Sequence, residues 1–236
     1  DPITWGANAI YDIVDKKLVF RSYYKLPAPQ TDLENCVAHN GSLVPVPGRD
    51  LFVQAWYQGG ISISDFSDSS NPREIAYFDR GPVNADRATM GGYWSVYWYN
   101  GRIYGTEIAR GLDVFSLTPS EHLSGNEIAA ALMAQQGETV NPQQQFPVTW
   151  PHHPVVAGAY IDQLARDQVM PVADMSRLTS ALERAKPLID ADRKDTALAG
   201  ELRALAGSIQ AAGADQTIKR LNGLKETLLG ISQRLS

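Results

Sequence analysis

The sequence predicts a mainly β region followed by an α region: the last two to three blades of a β-propeller, then a small up-down helical bundle. Three observations lead there. A pattern of four strands recurs about every fifty residues in the first part, aromatic residues crowd that part, and an apolar period of 3.6 residues takes over afterwards. All six Phe, all five Trp and nine of the ten Tyr lie at or before Trp150. Aromatic and β-branched side chains suit a pleated surface, whereas the Ala, Leu, Arg, Glu and Gln of the remainder favour helix. Charge divides the same way: the chain carries −5, with −6 up to Trp150 and +1 beyond it.

The strands follow from alternation and turn chemistry. Ala9-Ile10-Tyr11-Asp12-Ile13-Val14-Asp15 aligns with Ser62-Ile63-Ser64-Asp65-Phe66-Ser67-Asp68, apolar positions and both Asp in step. Gln58-Gly59-Gly60-Ile61-Ser62-Ile63 aligns in turn with Ala109-Arg110-Gly111-Leu112-Asp113-Val114. Upstream, Leu51 to Tyr57 matches Arg102 to Ile108, and the strands Gly41 to Val46 and Trp94 to Tyr99 lead into hairpins turning at Pro47-Gly48-Arg49-Asp50 and Asn100-Gly101. Leu18 to Tyr24 and Arg73 to Phe78 complete the set.

The string Gly60-Ile61-Ser62-Ile63-Ser64-Asp65-Phe66-Ser67-Asp68-Ser69-Ser70-Asn71-Pro72 resembles the signature of the LVIVD-repeat propeller proteins of bacteria and archaea. The resemblance runs over roughly Ile10 to Leu117; the first copy has Lys16-Lys17 in place of the proline turn, and the third has Ser116 in place of the Asp. It implies a secreted or cell-envelope bacterial protein. Closed propellers need roughly four to eight blades, so residues 1–134 are expected to be the C-terminal blades of a ring. The remaining blades would come from an upstream fragment of the same, proteolytically processed precursor, because Asp1 falls in the middle of a blade.

Residues 135–154 read as a Pro- and Gln-rich linker, with Asn141-Pro142 and three consecutive Gln. Residues 155–236 read as a four-helix, bundle-like appendage that resembles the FIMAH domains of secreted bacterial proteins. The first helix is expected from Val155 to Asp167. The second starts near Ala173, with Pro187 ending or kinking it; the third carries Leu198, Leu202, Leu205 and Ile209; the fourth carries Ile218, Leu221, Leu224, Leu228, Ile231 and Leu235, with Asp215 as its N-cap.

Few residues carry candidate chemistry. Cys36 is the sole cysteine, either a buried thiol or an interchain disulfide to the upstream fragment. His39 and Asn40 open the strand expected to face a central channel, where His39 would either ligate a divalent metal or be held by the ring of strands. Glu107 beside Arg110 is a channel carboxylate or an internal ion pair. The group Asp65, Asp68, Asn71 and Glu74 lacks the glycine of a calcium loop and reads as a blade turn. Trp94, Tyr97, Trp98 and Tyr99 cover both faces of one strand and are expected to pack in the core, the alternative being a carbohydrate or nucleic-acid stacking platform, and His152-His153 to lie on a surface linker.

The chain has no Gly-rich phosphate loop, nucleophile elbow, zinc-protease helix or paired cysteines. It has no basic cluster to meet nucleic acid and no run of about 20 apolar residues to span a membrane. The expected function is a non-enzymatic binding or scaffold module, completed by its upstream fragment and docking further proteins or the cell surface, with no organic cofactor. The alternative is a metal- or small-substrate-binding propeller enzyme with its site in the channel, built on His39 and Glu107.

Overall fold

The computed structural model describes residues 6–136, 141 and 147–236. The start at Asp1, the three consecutive Gln and Pro142 therefore lie outside the described residues. The strands β1–β9 belong to one compact unit, and the helices α1–α5 together with Val46–Gly48 to another.

In the first unit β1 (Asn8–Val14) and β2 (Lys17–Tyr24) form a two-stranded sheet. The strands β3 (Gly41–Val44), β4 (Leu51–Ala55), β5 (Ile61–Asp65) and β6 (Arg73–Phe78) form a four-stranded one, and β7 (Tyr93–Tyr99), β8 (Arg102–Glu107) and β9 (Gly111–Phe115) a third. Among the described residues all strand pairings are antiparallel, and no sheet closes on itself. The expected propeller blades are thus not what the chain builds: successive sheets have two, four and three strands rather than a repeated four. Alternation and turn residues act over a few neighbouring positions, so they specify hairpins; sheet size and ring closure depend on contacts far apart in sequence.

Two hairpin turns show the local rule at work. Asp15 and Lys16 (φ 51° and 63°) and Asn100 and Gly101 (φ 45° and 80°) put both central residues in the left-handed region, as the tight turn of a right-twisted hairpin requires.

The two smaller sheets lie on opposite faces of the four-stranded one. Neighbouring strand residues point to opposite sides, and β5 shows both contacts. The Ser62 hydroxyl meets the Tyr24 hydroxyl of β2 at 2.6 Å, while Ile61 approaches Gly105 of β8. Tyr24, Leu26, Cys36 and Trp56 pack together on the first side, and Phe78, Tyr93 and Phe115 stack on the second. All five residues of β5 are consequently buried, including Ser62 and Ser64, which single-sided alternation would expose.

Among the described residues the second unit holds five helices, not the expected four-helix bundle: α1 (Gly125–Leu132), α2 (Pro154–Arg166), α3 (Val172–Asp190), α4 (Thr196–Ser208) and α5 (Asp215–Leu235). The unexpected α1 starts at a capping box, in which the Ser124 side chain accepts from the Glu127 N–H and the Glu127 carboxylate accepts from the Ser124 N–H. Leu164, Leu178, Leu182, Leu202, Leu224 and Leu228 share one apolar core across α2–α5. Pro187 sits inside α3, which continues to Asp190 rather than ending at the proline. Asp215 is the first residue of α5 rather than its cap; Ala214 holds the N-cap position and makes no side-chain cap bond.

His153 is not on a surface linker. It is buried and caps α2: its Nδ1 accepts the Val155 N–H at 3.2 Å and its Nε2 lies 2.8 Å from the Asp190 carboxylate. His153→Ala should lower the stability of this unit by about 1 kcal/mol, measured as a shift in urea midpoint with unchanged slope.

Candidate binding site

Three backbone irregularities of the β unit meet at one place. Tyr93 pairs with Glu107 and Ser95 with Thr106, so Trp94 is the extra residue of a β-bulge and falls out of the ladder. Gly92, just before it, has φ 88°, and a Cβ there would lie 1.9 Å from the Tyr57 carbonyl carbon. Tyr57 itself adopts φ 48°, an uncommon conformation for a bulky side chain. Two backbone bonds lock the approach: Tyr93 N–H to Tyr57 O at 2.8 Å and Tyr57 N–H to Tyr93 O at 3.2 Å.

The bulge turns the Trp94 ring outward, half exposed, and frees its carbonyl. His39 Nδ1 is hydrogen-bonded to that carbonyl. A carbonyl only accepts, so Nδ1 carries the proton and Nε2 of the neutral ring presents a lone pair. The backbone holds His39 in turn, through its N–H to Ala55 O at 2.9 Å and through Gln54 Nε2 donating to its carbonyl at 3.0 Å. The His39 ring centroid lies 4.5 Å from Trp94 and 4.9 Å from Tyr57, and Tyr57 meets Trp94 edge-on at 5.8 Å. Asn40 Nδ2 reaches Ser95 Oγ at 3.4 Å beside this cluster.

Among the described residues the sheets do not form a ring, so His39, Asn40 and Glu107 do not line the expected channel. His39 and Asn40 instead flank Trp94. Glu107 is buried behind the same stretch of β7: its Oε1 accepts the Gly92 N–H at 2.5 Å and lies 3.9 Å from Arg110, while its Oε2 has no hydrogen-bond partner. Of the two expectations for Glu107, the internal contact with Arg110 is the arrangement seen. Among the described residues, no group of three or more His, Cys, Asp and Glu is arranged to hold a metal ion, and the neighbours of His39 are aromatic rings.

Of the aromatic strand expected in the core, Trp98 is buried, whereas Trp94 and Tyr99 are about half exposed. The bulge makes the difference, since it takes Trp94 out of register. Tyr57 and Gly92 escaped the sequence reading; the Gly91-Gly92 doublet ahead of an aromatic strand is the one signal that marked a close backbone approach.

Cys36 is buried and donates to Gln30 Oε1 at 2.8 Å. Burial, with Glu34 and Asp79 adding, pushes its thiol up to about 12, so it stays protonated and weakly nucleophilic. Asp65 ends β5 with Oδ1 accepting the Ser67 N–H at 3.0 Å and Oδ2 2.6 Å from the fully buried Arg49 guanidinium. Burial alone would raise its pKa; Arg49 and the Ser67 hydrogen bonds outweigh that and hold it below the ordinary value.

A second exposed feature is the outward face of β1–β2. Tyr11 pairs with Phe20 and Ile13 with Leu18 on the side away from the four-stranded sheet. Phe20 stacks on Tyr11 at 5.6 Å and on Tyr23 at 4.9 Å, which makes the stripe continuous. Ile13, Leu18 and Tyr23 are 77%, 70% and 62% exposed. The opposite face is anchored through Tyr24–Ser62, Tyr24 to Glu74 at 3.4 Å, Ser22 to Ser69 O at 2.7 Å, and the Asn8–Gln54 amide pair. No helix among the described residues is long and apolar enough to cross a membrane. No family model matches the chain, and no match was found among curated proteins or solved structures.

Proposed function

We propose that the chain is a non-enzymatic binding and scaffold module that docks a protein presenting an apolar β-sheet face. The observation that supports this most is the outward face of β1–β2. Five large apolar side chains, Tyr11, Ile13, Leu18, Phe20 and Tyr23, stand exposed on a sheet of only two strands. Two-stranded sheets are marginal alone, and contiguous apolar patches on a folded protein mark interaction surfaces. A sheet face suits this surface better than a helix does. Tyr11 with Phe20 and Ile13 with Leu18 are cross-strand pairs on that face, the kind of surface that packs against another sheet face to face.

Replacing Leu18 by p-benzoylphenylalanine in the full chain, in cells that produce it, should give a photo-cross-link to one protein, mapping to a strand segment. The same residue at exposed Lys16 should not. Phe20→Asp should weaken that complex at least tenfold without unfolding the chain. A cross-link only to a second copy of this chain, or none at all, would overturn the reading.

A further inference from the structure

We infer that His39, Tyr57 and Trp94 form a binding platform for an uncharged oligosaccharide, a site separate from the β1–β2 surface. The platform combines the two kinds of group that a sugar ring needs. The indole of Trp94 offers an apolar surface, half exposed, whereas Trp56 and Trp98 are buried in the core. Polar groups stand beside it: the Nε2 lone pair of His39, fixed as an acceptor by the bond from Nδ1 to the Trp94 carbonyl, and the amide of Asn40. A pyranose has the matching surface, with C–H groups on its face and hydroxyls around its rim.

The backbone gives the second, independent support. Trp94 leaves the β7–β8 ladder as a bulge, Tyr57 takes a positive φ in the turn between β4 and β5, and Gly92 lies against Tyr57 beside the Tyr57–Tyr93 bridge; the three features together set the rings. Strained backbone concentrated at one exposed cluster is a mark of a functional site. Rings held this way lose little freedom when a ligand arrives.

Other ligand classes fit less well. Among the described residues, the ring contacts of His39, Tyr57 and Trp94 include no Lys or Arg to meet a phosphate, and the chain is acidic overall. They include no carboxylate to meet a cation either, since Glu107 is turned to the Gly92 N–H. A neutral, hydroxyl-rich ligand is what remains.

Isothermal titration of the full chain with cellotetraose, maltotetraose and tetra-N-acetylchitotetraose should show saturable binding of at least one of them. Trp94→Ala should weaken it at least tenfold. His39→Phe, which keeps a ring but loses Nε2, should weaken it at least threefold, with thermal midpoints of both variants close to that of the parent. Phe20→Asp, on the far sheet, should bind as the parent does. Failure of the unmodified chain to bind any of the three sugars would overturn the proposal. So would unaltered binding by Trp94→Ala, or loss of binding by a folded Phe20→Asp.

Discussion

Asp65→Ala is expected to destabilise the β unit by about 3–5 kcal/mol, the cost of removing one member of a buried ion pair. The Arg49 side chain is wholly inaccessible and its NH2 lies 2.6 Å from Asp65 Oδ2, while Arg73, 3.8 Å from the same oxygen and half exposed, is a second cation and cannot take the carboxylate's place. A turn-forming Asp that only accepted the Ser67 N–H would cost nearer 1 kcal/mol. Guanidinium denaturation at pH 7 separates the two. The double change Arg49→Met with Asp65→Leu should recover most of the loss, because two apolar side chains need no partner. The pH dependence has a definite sign. Asp65 is held below its ordinary value in the folded chain, so its contribution is complete above the unfolded pKa of about 3.9. It declines as pH falls from there through the lower folded value. The stability difference between the parent and Asp65→Asn should therefore be flat above about pH 5 and shrink below about pH 4.

Gly92→Ala should cost more than about 3 kcal/mol. Positive φ alone costs a residue with a Cβ about 1–3 kcal/mol, and here the added carbon would also lie 1.9 Å from the Tyr57 carbonyl carbon and 2.1 Å from the Gln58 nitrogen. These are backbone atoms that cannot rotate aside. The clash falls on the bonds joining Tyr57 to Tyr93, so the expected result is a loss of stability together with separation of Tyr57 from Trp94. The control is Gly81→Ala. Gly81 has φ 69° but open space around its Cβ position, and this change should cost only the conformational part, about 1 kcal/mol. Equal effects at both glycines would show that the close approach at Gly92 does not matter.

Both effects depend on groups that are neighbours only after folding, which marks how far the sequence goes by itself. Arg73–Phe78 is a strand as its alternation says, the Asn100-Gly101 turn is tight as its residues require, and the stripe Leu178, Leu182, Ala185 and Ile189 is buried as its spacing implies. Each is decided within ten or so residues. The start of α1 was equally legible, since Ser124 and Glu127 stand at capping-box spacing; the strand repeat upstream drew the reading away from it.

Tertiary structure alone decided the rest. An alternating strand is compatible with one covered face or two, and only the sheets lying against both sides of β5 bury its serines. The spacing of His39 and Trp94 cannot show that the imidazole finds the tryptophan carbonyl, because that carbonyl is free only where the β7–β8 register slips by one residue. Nor can the repeat of strands say how many join each sheet. Hairpins are chosen by turn residues and alternation, which the chain carries locally. Sheet partners are chosen by the area buried between surfaces far apart in sequence, and so the same strands that suggested a ring assemble as three small open sheets.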